Sequence, residues 1–309
     1  METYYSNLLY KKLSFSKNII FDLSDFPIGE ILYFSFIFSL IYFFFRDTKS
    51  IIYTVSSILI IIYFFYISWG VNYFRLPLHK SISKEVYLNE KKIETLTRFI
   101  SIQCNKLKKE INTKKTGNKN NLNSYKNIIE SKNQKFKYSN FSIILSYLGI
   151  KGYYNPFTNE ANVNSEIPDI LIPVTIYHEL AHKQGFASES DANFIGFFNA
   201  YNNHEAEIQY SASFFAFRYL YFDLYKMNPN LAKNVYQSVS REVKNDFTIV
   251  SNFWTRYASI FQKIQKYIFD LFLKTQGQKK GIKSYKEVSK MLLLTFDGKN
   301  KFIIDENNK

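Results

Sequence analysis

The chain has 309 residues, of which 46% are hydrophobic and 21% charged, so a wholly disordered protein is excluded. Its single cysteine, Cys104, excludes a disulfide-stabilised scaffold. The net charge of +14 arises from 34 Lys and only 6 Arg, whereas sites that read nucleic-acid sequence favour Arg. We therefore expect a lysine-rich, solvated surface and no specific nucleic-acid partner.

Two long apolar stretches follow an N-terminal segment, residues 1–27, that is expected to lie at a membrane surface. The first stretch covers residues 28–45 if Glu30 sits at the interface, and the second covers residues 50–74 without a charge. A helix of about 20 apolar residues crosses a bilayer, because its backbone polar groups are all paired internally. Residues 28–74 are therefore predicted to form a transmembrane helical hairpin with the lipid bilayer as partner. Two buried core helices are the alternative.

Residues 75–309 are predicted to form a mostly helical domain with a small β element, so the fold class is mainly α. Residues 84–112 show helical periodicity, and residues 113–136 have the Lys- and Asn-rich composition of a flexible loop or a frayed helix. Turn residues over 152–173 indicate a hairpin or an extended segment, with 161–164 as a possible edge strand. Apolar periodicity beyond this segment predicts helices over 174–184, 188–201, 205–226, 230–245, 247–275 and 284–295.

The first of these helices carries the motif H-E-x-x-H. Residues four apart share one face of a helix, so His178 and His182 can direct two imidazoles at one Zn²⁺ ion. Glu179 would then lie beside the ion and take a proton from water whose pKa zinc lowers to about 7. Because the chain has four His and 16 Glu, chance placement gives only about 0.003 such matches. The alternative is a helix whose histidines are merely packed or solvated.

A catalytic zinc ion needs a third protein ligand, and the next helix offers carboxylates for it. Ser188 resembles an N-cap, so Glu189 would lie in the first helical turn, with Asn193 on the same face. We predict Glu189 as the metal ligand and Asn193 as a hydrogen-bonding residue behind the ligands. Asp191 is the next candidate for the ligand, and Glu205 or His204 a more remote one. The alternative role of Glu189 is to complement the helix N-terminus.

A hydroxyl or guanidinium group that stabilises the transition state is harder to identify from the sequence. Tyr153, Tyr154, Tyr210 and Arg218 could each donate a hydrogen bond to an oxyanion. The chain contains 25 Tyr, most of which are expected to serve packing. Among these candidates Tyr210 is the predicted catalytic residue.

Several sequence blocks together resemble a bacterial family of membrane proteins with zinc-metallopeptidase motifs, a family that is catalogued as a domain of unknown function. The block HELAHKQGFASESDANF at 178–194 is the most specific part of the resemblance. The other blocks are YYSNLLYKKLS (4–14), DFPIGEILY (25–33), SWGVNYFRLPL (68–78), GYYNPFTNEANVN (152–164), QYSASFFAFRYL (209–220) and QGQKKGIKSYKEV (276–288).

This resemblance implies a membrane-anchored protein with a gluzincin-like, zincin-type peptidase domain. His178 and His182 match the two histidines of the family motif, Glu179 matches its glutamate, and Glu189 and Asp191 match two acidic positions. Asp191 stands where Glu is usual, which favours Glu189 as the ligand. The family usually has a further apolar span before its YYSN motif, and this sequence starts at residue 1 without one. The family's orientation implies a multi-pass protein of the cytoplasmic membrane with residues 75–309 on the outer, periplasmic face.

Three functional hypotheses follow. The first is a zinc-dependent, membrane-anchored metallopeptidase that hydrolyses a peptide or protein substrate with Glu179 as general base. The second is a non-catalytic membrane or envelope scaffold with a structural or vestigial metal site. The third is a basic module that binds anionic lipid through lysine clusters. We expect the first, in which an extended segment before Pro173 aligns the peptide by strand addition.

Overall fold

A computed structural model describes residues 4–46, 50–78, 89–114, 122–130, 134–278, 287–298 and 301–303. The described part is mainly helical, with one small sheet. A short π-helix at Tyr5–Leu9 precedes α1, and 3₁₀ turns lie at Gly70–Phe74 and Asp169–Leu171. The helices are α1 (Tyr10–Phe21), α2 (Ile28–Arg46), α3 (Ser50–Ser68), α4 (Glu90–Lys114), α5 (Leu122–Glu130), α6 (Ser142–Leu148), α7 (Ile172–Lys183), α8 (Glu189–Tyr201), α9 (Ala206–Met227), α10 (Pro229–Gln237), α11 (Arg241–Arg256), α12 (Ile260–Thr275) and α13 (Glu287–Thr295). The strands are β1 (Lys137–Tyr138), β2 (Gly152–Asn155) and β3 (Glu160–Val163).

Helices α2 and α3 are the two apolar stretches that the sequence predicts. Each contains an 18-residue window, Ile28–Phe45 and Ile51–Ser68, that is long and apolar enough to cross a membrane. Most of their large side chains are exposed, which is unfavourable in water and suited to lipid. The two helices contact each other.

The N-terminus of α2 is attached to the sheet by a buried carboxylate. Glu160 of β3 accepts hydrogen bonds from the backbone N–H groups of Ile28 (3.0 Å) and Gly29 (2.7 Å), which the first turn of a helix leaves unpaired. The Lys137 ammonium lies 2.5 Å from the same carboxylate. Glu160 is 1% exposed, so the start of α2 is held by a charge that water does not reach.

Behind these elements lies a helical core built on α9. Helix α9 packs against α4, α7, α8 and α10, and α7 packs against α8 and both long strands. Successive turns of α9 contribute Phe214, Phe217 and Leu220, all of which are buried. This core fixes the relative positions of α7 and α8, the two helices that carry the predicted metal ligands.

The sheet has the strand order β1-β3-β2. Strand β3 pairs in parallel with β1 and antiparallel with β2, with Tyr153 opposite Asn162. The prediction of an edge strand at 161–164 is therefore wrong, because β3 is the central strand and is buried throughout. The edge strand beside the candidate site is β2.

The structure refines two other sequence predictions. Residues 113–136, predicted as a flexible loop or a frayed helix, include helix α5, because Tyr125 and Ile129 bury their side chains in the core; residues 115–121 and 131–133 lie outside the described residues. The predicted helices 230–245 and 247–275 are instead α10, α11 and α12. Helix α11 begins after Ser240 and helix α12 begins after Ser259. The hydroxyl oxygens of these serines accept hydrogen bonds from the backbone N–H groups of Val243 and Gln262, each at 3.3 Å.

Candidate metal centre

Helices α7 and α8 form a helix–turn–helix unit that brings the predicted ligands together. Pro173 lies in the first turn of α7, where its missing N–H needs no partner. The chain reverses at Gly185, whose φ of +89° is in the left-handed region. The predicted helices over 174–184 and 188–201 are confirmed by α7 and α8.

The two histidines of α7 face the first carboxylate of α8. The ring centroids of His178 and His182 are 4.7 Å apart, and the ring planes are nearly perpendicular. The Glu189 carboxylate reaches both rings, with Oε2 3.5 Å from His178 Nε2 and Oε1 3.6 Å from His182 Nε2. Ligands about 2.0–2.1 Å from a tetrahedral ion are about 3.4 Å apart, so this spacing suits ligands of one ion better than direct hydrogen bonds.

The tautomer of His182 is set by the backbone. Its Nδ1 lies 2.8 Å from the carbonyl oxygen of Phe186, so Nδ1 donates a hydrogen bond to that oxygen and Nε2 is the nitrogen that faces Glu189. The Nδ1 of His178 is buried and has no hydrogen-bond partner among the described residues. The backbone thus fixes the orientation of one of the two imidazoles, with Nε2 as the nitrogen that could bind a metal ion.

Burial and mutual charge perturb all of these groups. Burial raises the pKa of Glu179 to about 8, and burial also lowers the pKa of His178. For Glu189, burial opposes ionisation, but contacts with both imidazoles hold the pKa of its carboxyl well below the usual range. For His182, burial opposes the charge, yet the neighbouring carboxylates of Glu189 and Glu179 raise the pKa to about 8. Such coupled, perturbed groups are typical of functional sites.

His178, Glu179 and His182 form a cluster that could hold a metal ion. Their ligand atoms all lie within 4.8 Å of one another, and the Glu189 carboxylate borders the same space. Two imidazole nitrogens with carboxylate oxygens suit Zn²⁺ and similar divalent transition metals. The residues present therefore fit a metal ion of this kind.

Two glycines allow the close packing around this cluster. A Cβ added at Gly152 of β2 would lie 2.8 Å from Glu179 Oε1, so the strand backbone comes right up to that carboxylate. A Cβ added at Gly196 of α8 would lie 2.8 Å from the backbone N of His178. Sequence reasoning missed both residues, although Gly196 occurs inside a helix, where an unexplained glycine signals close packing.

The cluster lies in the wall of an open cavity of about 790 Å³. One side of the cavity is polar. Its side chains are those of His178, Glu179, His182, Glu189, Asn193 and Lys151. The strand β2 adds Gly152, Tyr153 and Tyr154. Apolar and aromatic side chains from α2, α3, α12 and the turn after α3 complete the wall, among them Tyr33, Ile61, Ile62, Phe65, Trp69, Tyr73, Phe269 and Phe272.

Lys151, immediately before β2, brings a positive charge to this cavity. Burial lowers the pKa of its ammonium to about 8, and the charges of Glu179 and Glu189 act in the opposite direction. Among the described residues, no ion pair engages this ammonium. It is a cation in the cavity wall that sequence reasoning missed, since a single Lys in a chain with 34 of them gives no signal.

The structure places two further predicted residues, Asn193 behind the ligands and Asp191 as the alternative ligand, in different surroundings. Asn193 lines the cavity, but its Nδ2 has no hydrogen-bond partner among the described residues, and the carbonyl of Phe186 holds His182 instead. Asp191 accepts a hydrogen bond from the backbone N of Leu78 (3.3 Å). Because Asp191 is directed at the segment after α3 and is absent from the cavity wall, Glu189 is the better candidate for a ligand.

Tyr210 does not reach this site, so its prediction as a catalytic residue is wrong. Its hydroxyl donates a 2.5 Å hydrogen bond to Asp246, which also pairs with Lys108 at 2.6 Å. Tyr210 is buried in this separate network and is not part of the cavity wall. Tyr153 and Tyr154 do line the cavity, but their hydroxyls donate hydrogen bonds to side chains outside the His178–Glu179–His182 cluster. These are Glu30 (3.0 Å) for Tyr153 and Asn159 (2.6 Å) for Tyr154.

The end of α3 contacts the cluster directly. The indole Nε1 of Trp69 donates a 3.0 Å hydrogen bond to the carbonyl oxygen of His182. The Trp69 ring also lies edge-on to the His182 imidazole, with centroids 5.9 Å apart. Tyr10 of α1 adds a 2.7 Å hydrogen bond to the carbonyl of Lys183, the last residue of α7. The motifs YYSNLLYKKLS and SWGVNYFRLPL thus support the helix that carries the histidines.

These features define a class of protein: a mainly helical chain with two helices long and apolar enough to cross a membrane and a His-Glu-His cluster that could hold a metal ion. The chain belongs to the family described as Protein of unknown function (DUF3810), whose model matches residues 5–293. The resemblance to a family of unknown function is therefore confirmed, and that description names no activity. Neither the curated proteins nor the solved structures contain a match to this chain.

Proposed function

We propose that this protein is a membrane-anchored zinc metallopeptidase. The observation that carries the proposal is the placement of both His Nε2 atoms 3.5–3.6 Å from the two oxygens of Glu189, with Glu179 beside them. His178, His182 and Glu189 would hold the ion. When bound, Zn²⁺ would supply a Lewis acid for the scissile carbonyl and would acidify a water molecule.

Glu179 is the proposed general base. Burial raises the pKa of its carboxyl to about 8, which is close to the pH at which such a group would work. Glu179 would accept the proton of the attacking water and pass it to the leaving amine. The adjoining backbone of Gly152 limits the space on one side of the carboxylate, so its position is restricted.

Strand β2 is the proposed guide for the peptide. Among the described residues no strand pairs with its outer edge, and Gly152, Tyr153 and Tyr154 all line the cavity. An extended peptide that adds to this edge would bring its backbone past Glu179. Lys151 at the start of the strand would place a positive charge near the carbonyl on which negative charge develops.

The proposed location is the cytoplasmic membrane. Helices α2 and α3 would cross the bilayer as a hairpin, and the rest of the chain would lie on one side of it, which we propose is the outer face. The exposed apolar surface of both helices supports this proposal. A reporter enzyme fused after Phe74 would test the side.

The test of the proposed function is a metal and activity analysis of the purified full-length chain. We expect one zinc ion per wild-type chain, and hydrolysis of peptide bonds that Glu179→Gln abolishes while it keeps the metal. His182→Ala is expected to lose the ion. The matched control is His204→Ala, because His204 is exposed in the turn before α9 and should leave the metal content unchanged.

Two results would contradict the proposal in different ways. A wild-type chain that holds no zinc after preparation in zinc-containing buffer would remove the metal site itself. A chain that holds zinc, while Glu179→Gln leaves both proteolysis and cellular phenotype unchanged, would favour the second hypothesis, a scaffold with a structural metal.

A further inference from the structure

The cavity beside the His178–Glu179–His182 cluster extends along α3, a helix that is apolar enough to cross a membrane. Its wall includes Ile61, Ile62 and Phe65 of α3, within the apolar window that ends at Ser68. Ile61 precedes Ser68 by seven residues, which corresponds to about 10 Å along a helix. If α3 crosses a bilayer, the cavity therefore reaches about one third of the way into a hydrocarbon core of about 30 Å.

The opposite wall is formed by α12, and this helix is itself suited to a membrane surface. Its inner face contributes Phe269 and Phe272 to the cavity. Its outer face exposes large apolar side chains, each between 45% and 67% exposed: Ile260, Phe261, Ile264, Tyr267, Ile268 and Leu271. An apolar patch of this kind in contact with water is unfavourable, whereas at the boundary of headgroups and acyl chains it is stabilising. Helix α6, which contacts α12, also exposes apolar side chains, namely Ile143, Ile144 and Tyr147.

Helices α3 and α12 contact each other close to the His178–Glu179–His182 cluster. At a greater distance from this cluster, they line the cavity from two sides. Near the cluster, Phe65 lies 6.2 Å from Phe272, and the Tyr66 hydroxyl donates a 3.0 Å hydrogen bond to Gln276. Farther along, Ile61 on α3 and Lys266 on α12 both line the cavity, which is open rather than enclosed. An opening between these two helices would face lipid.

We propose that the substrate reaches the metal cluster from the bilayer, between α3 and α12, and that it is a membrane-inserted polypeptide. This inference rests on the proposed function, and it specifies the class of substrate. The apolar wall would receive apolar side chains of the inserted segment, and the outer edge of β2, to which no described strand pairs, would bond to its backbone as it leaves the membrane. The backbone-pairing edge favours a polypeptide over a lipid acyl chain, because an acyl chain offers no hydrogen bonds to it.

The experiment uses photo-crosslinking, which requires neither zinc nor turnover. The full-length Glu179→Gln chain is reconstituted in phosphatidylethanolamine and phosphatidylglycerol vesicles. The probe is a Leu/Ala peptide of about 20 residues, long enough to span the bilayer, with a diazirine at its centre. A second probe has the same length and diazirine, but Ser replaces Leu so that it stays in water. Crosslinked residues are identified by mass spectrometry.

The cavity is narrowed by Ile61→Trp, with Ile60→Trp as matched control, because Ile60 is exposed on the same helix but absent from the cavity wall. A second pair on α12 consists of exposed lysines, Lys266→Trp in the wall and Lys263→Trp outside it. Substitutions at exposed lysines should not disturb folding, so this pair decides the test if Ile61→Trp does not fold.

We expect the membrane peptide to crosslink to residues of the cavity wall. The two wall variants should reduce that yield about tenfold, because the added indole occupies space that the side chains of the peptide would fill. The two control variants should match wild type. Equal yields in wall and control variants would overturn the inference. So would stronger cavity labelling by the Ser-containing peptide, or labelling by a diazirine phospholipid that the membrane peptide does not displace. If the wild-type chain fails to bind zinc in the metal analysis while the cavity is still labelled, the proposed peptidase is refuted and lateral access stands.

Discussion

Gly196 offers a sharp test of how the two ligand-bearing helices are spaced. It lies two helical turns after Glu189 on the face of α8 that packs against α7. An alanine Cβ at this position would lie 2.8 Å from the backbone N of His178, 2.9 Å from its Cα and 3.1 Å from the carbonyl carbon of Tyr177. All three atoms belong to the backbone of α7, so no flexible side chain can move aside.

The size of the expected effect follows from these distances. Because relaxed contacts between heavy atoms need about 3.5 Å, α7 and α8 must separate by about 0.7 Å in Gly196→Ala. Overpacking of this kind costs about 1–3 kcal/mol of unfolding free energy. Metal–ligand distances tolerate only about 0.2 Å, so Glu189 would no longer match both histidines. We expect zinc affinity to fall about 10–100-fold, as it does when residues that orient the ligands are changed.

The assay is a competition titration of zinc against a chromophoric chelator, with thermal unfolding of the same samples. The matched control is Gly277→Ala, where φ is +82° and no atom lies within 4 Å of the new Cβ. That change costs about 1–2 kcal/mol through backbone strain alone. Gly277→Ala should therefore lower stability and leave zinc affinity intact. Wild-type zinc affinity in Gly196→Ala would refute the argument that this close contact sets the ligand spacing.

Three further predictions concern the groups around the centre. Glu160→Gln should lower the unfolding free energy by about 3–5 kcal/mol, measured by denaturant titration in detergent, because Lys137 would remain buried without its counter-ion; a change below about 1 kcal/mol would contradict this. Trp69→Phe keeps the ring but removes the donor to the carbonyl of His182, so stability should fall by about 1–3 kcal/mol and zinc affinity with it, and unchanged zinc affinity would show that the two are uncoupled. Tyr210→Phe should cost about 1–3 kcal/mol of stability through its lost buried hydrogen bond and leave activity per folded molecule unchanged, whereas a large fall in kcat would reinstate it as a catalytic residue.

The sequence predicted the elements that depend on local pattern. The two apolar stretches and the helices of the H-E-x-x-H unit are set by composition and periodicity over a few turns, and the structure contains all of them. The helix breaks at Ser240 and Ser259 were missed because amphipathic periodicity continues through them. The capping hydroxyls that start new helices gave a weaker signal than the apolar pattern.

The parts of the site that were missed depend on contacts between distant segments. The carbonyl that fixes His182, the indole of Trp69 and the ammonium of Lys151 reach the cluster only through the tertiary fold. The same is true of Tyr210, whose position on α9 gave no indication that its hydroxyl would pair with Asp246 on α11. Spacing along one helix predicts which side chains share a face, but it does not predict what that face meets.

The hydrogen bond from Trp69 to the carbonyl of His182 has a mechanical consequence. A helix that is longer or shorter than the local hydrocarbon thickness changes its tilt. Tilting of α3 would pull on the last turn of α7 through this indole, and so would shift the imidazole of His182 relative to Glu189. If α3 crosses a bilayer, the proposed centre would be coupled to the thickness of the lipid around it, and vesicles of graded acyl-chain length should change its zinc affinity in step with the mismatch.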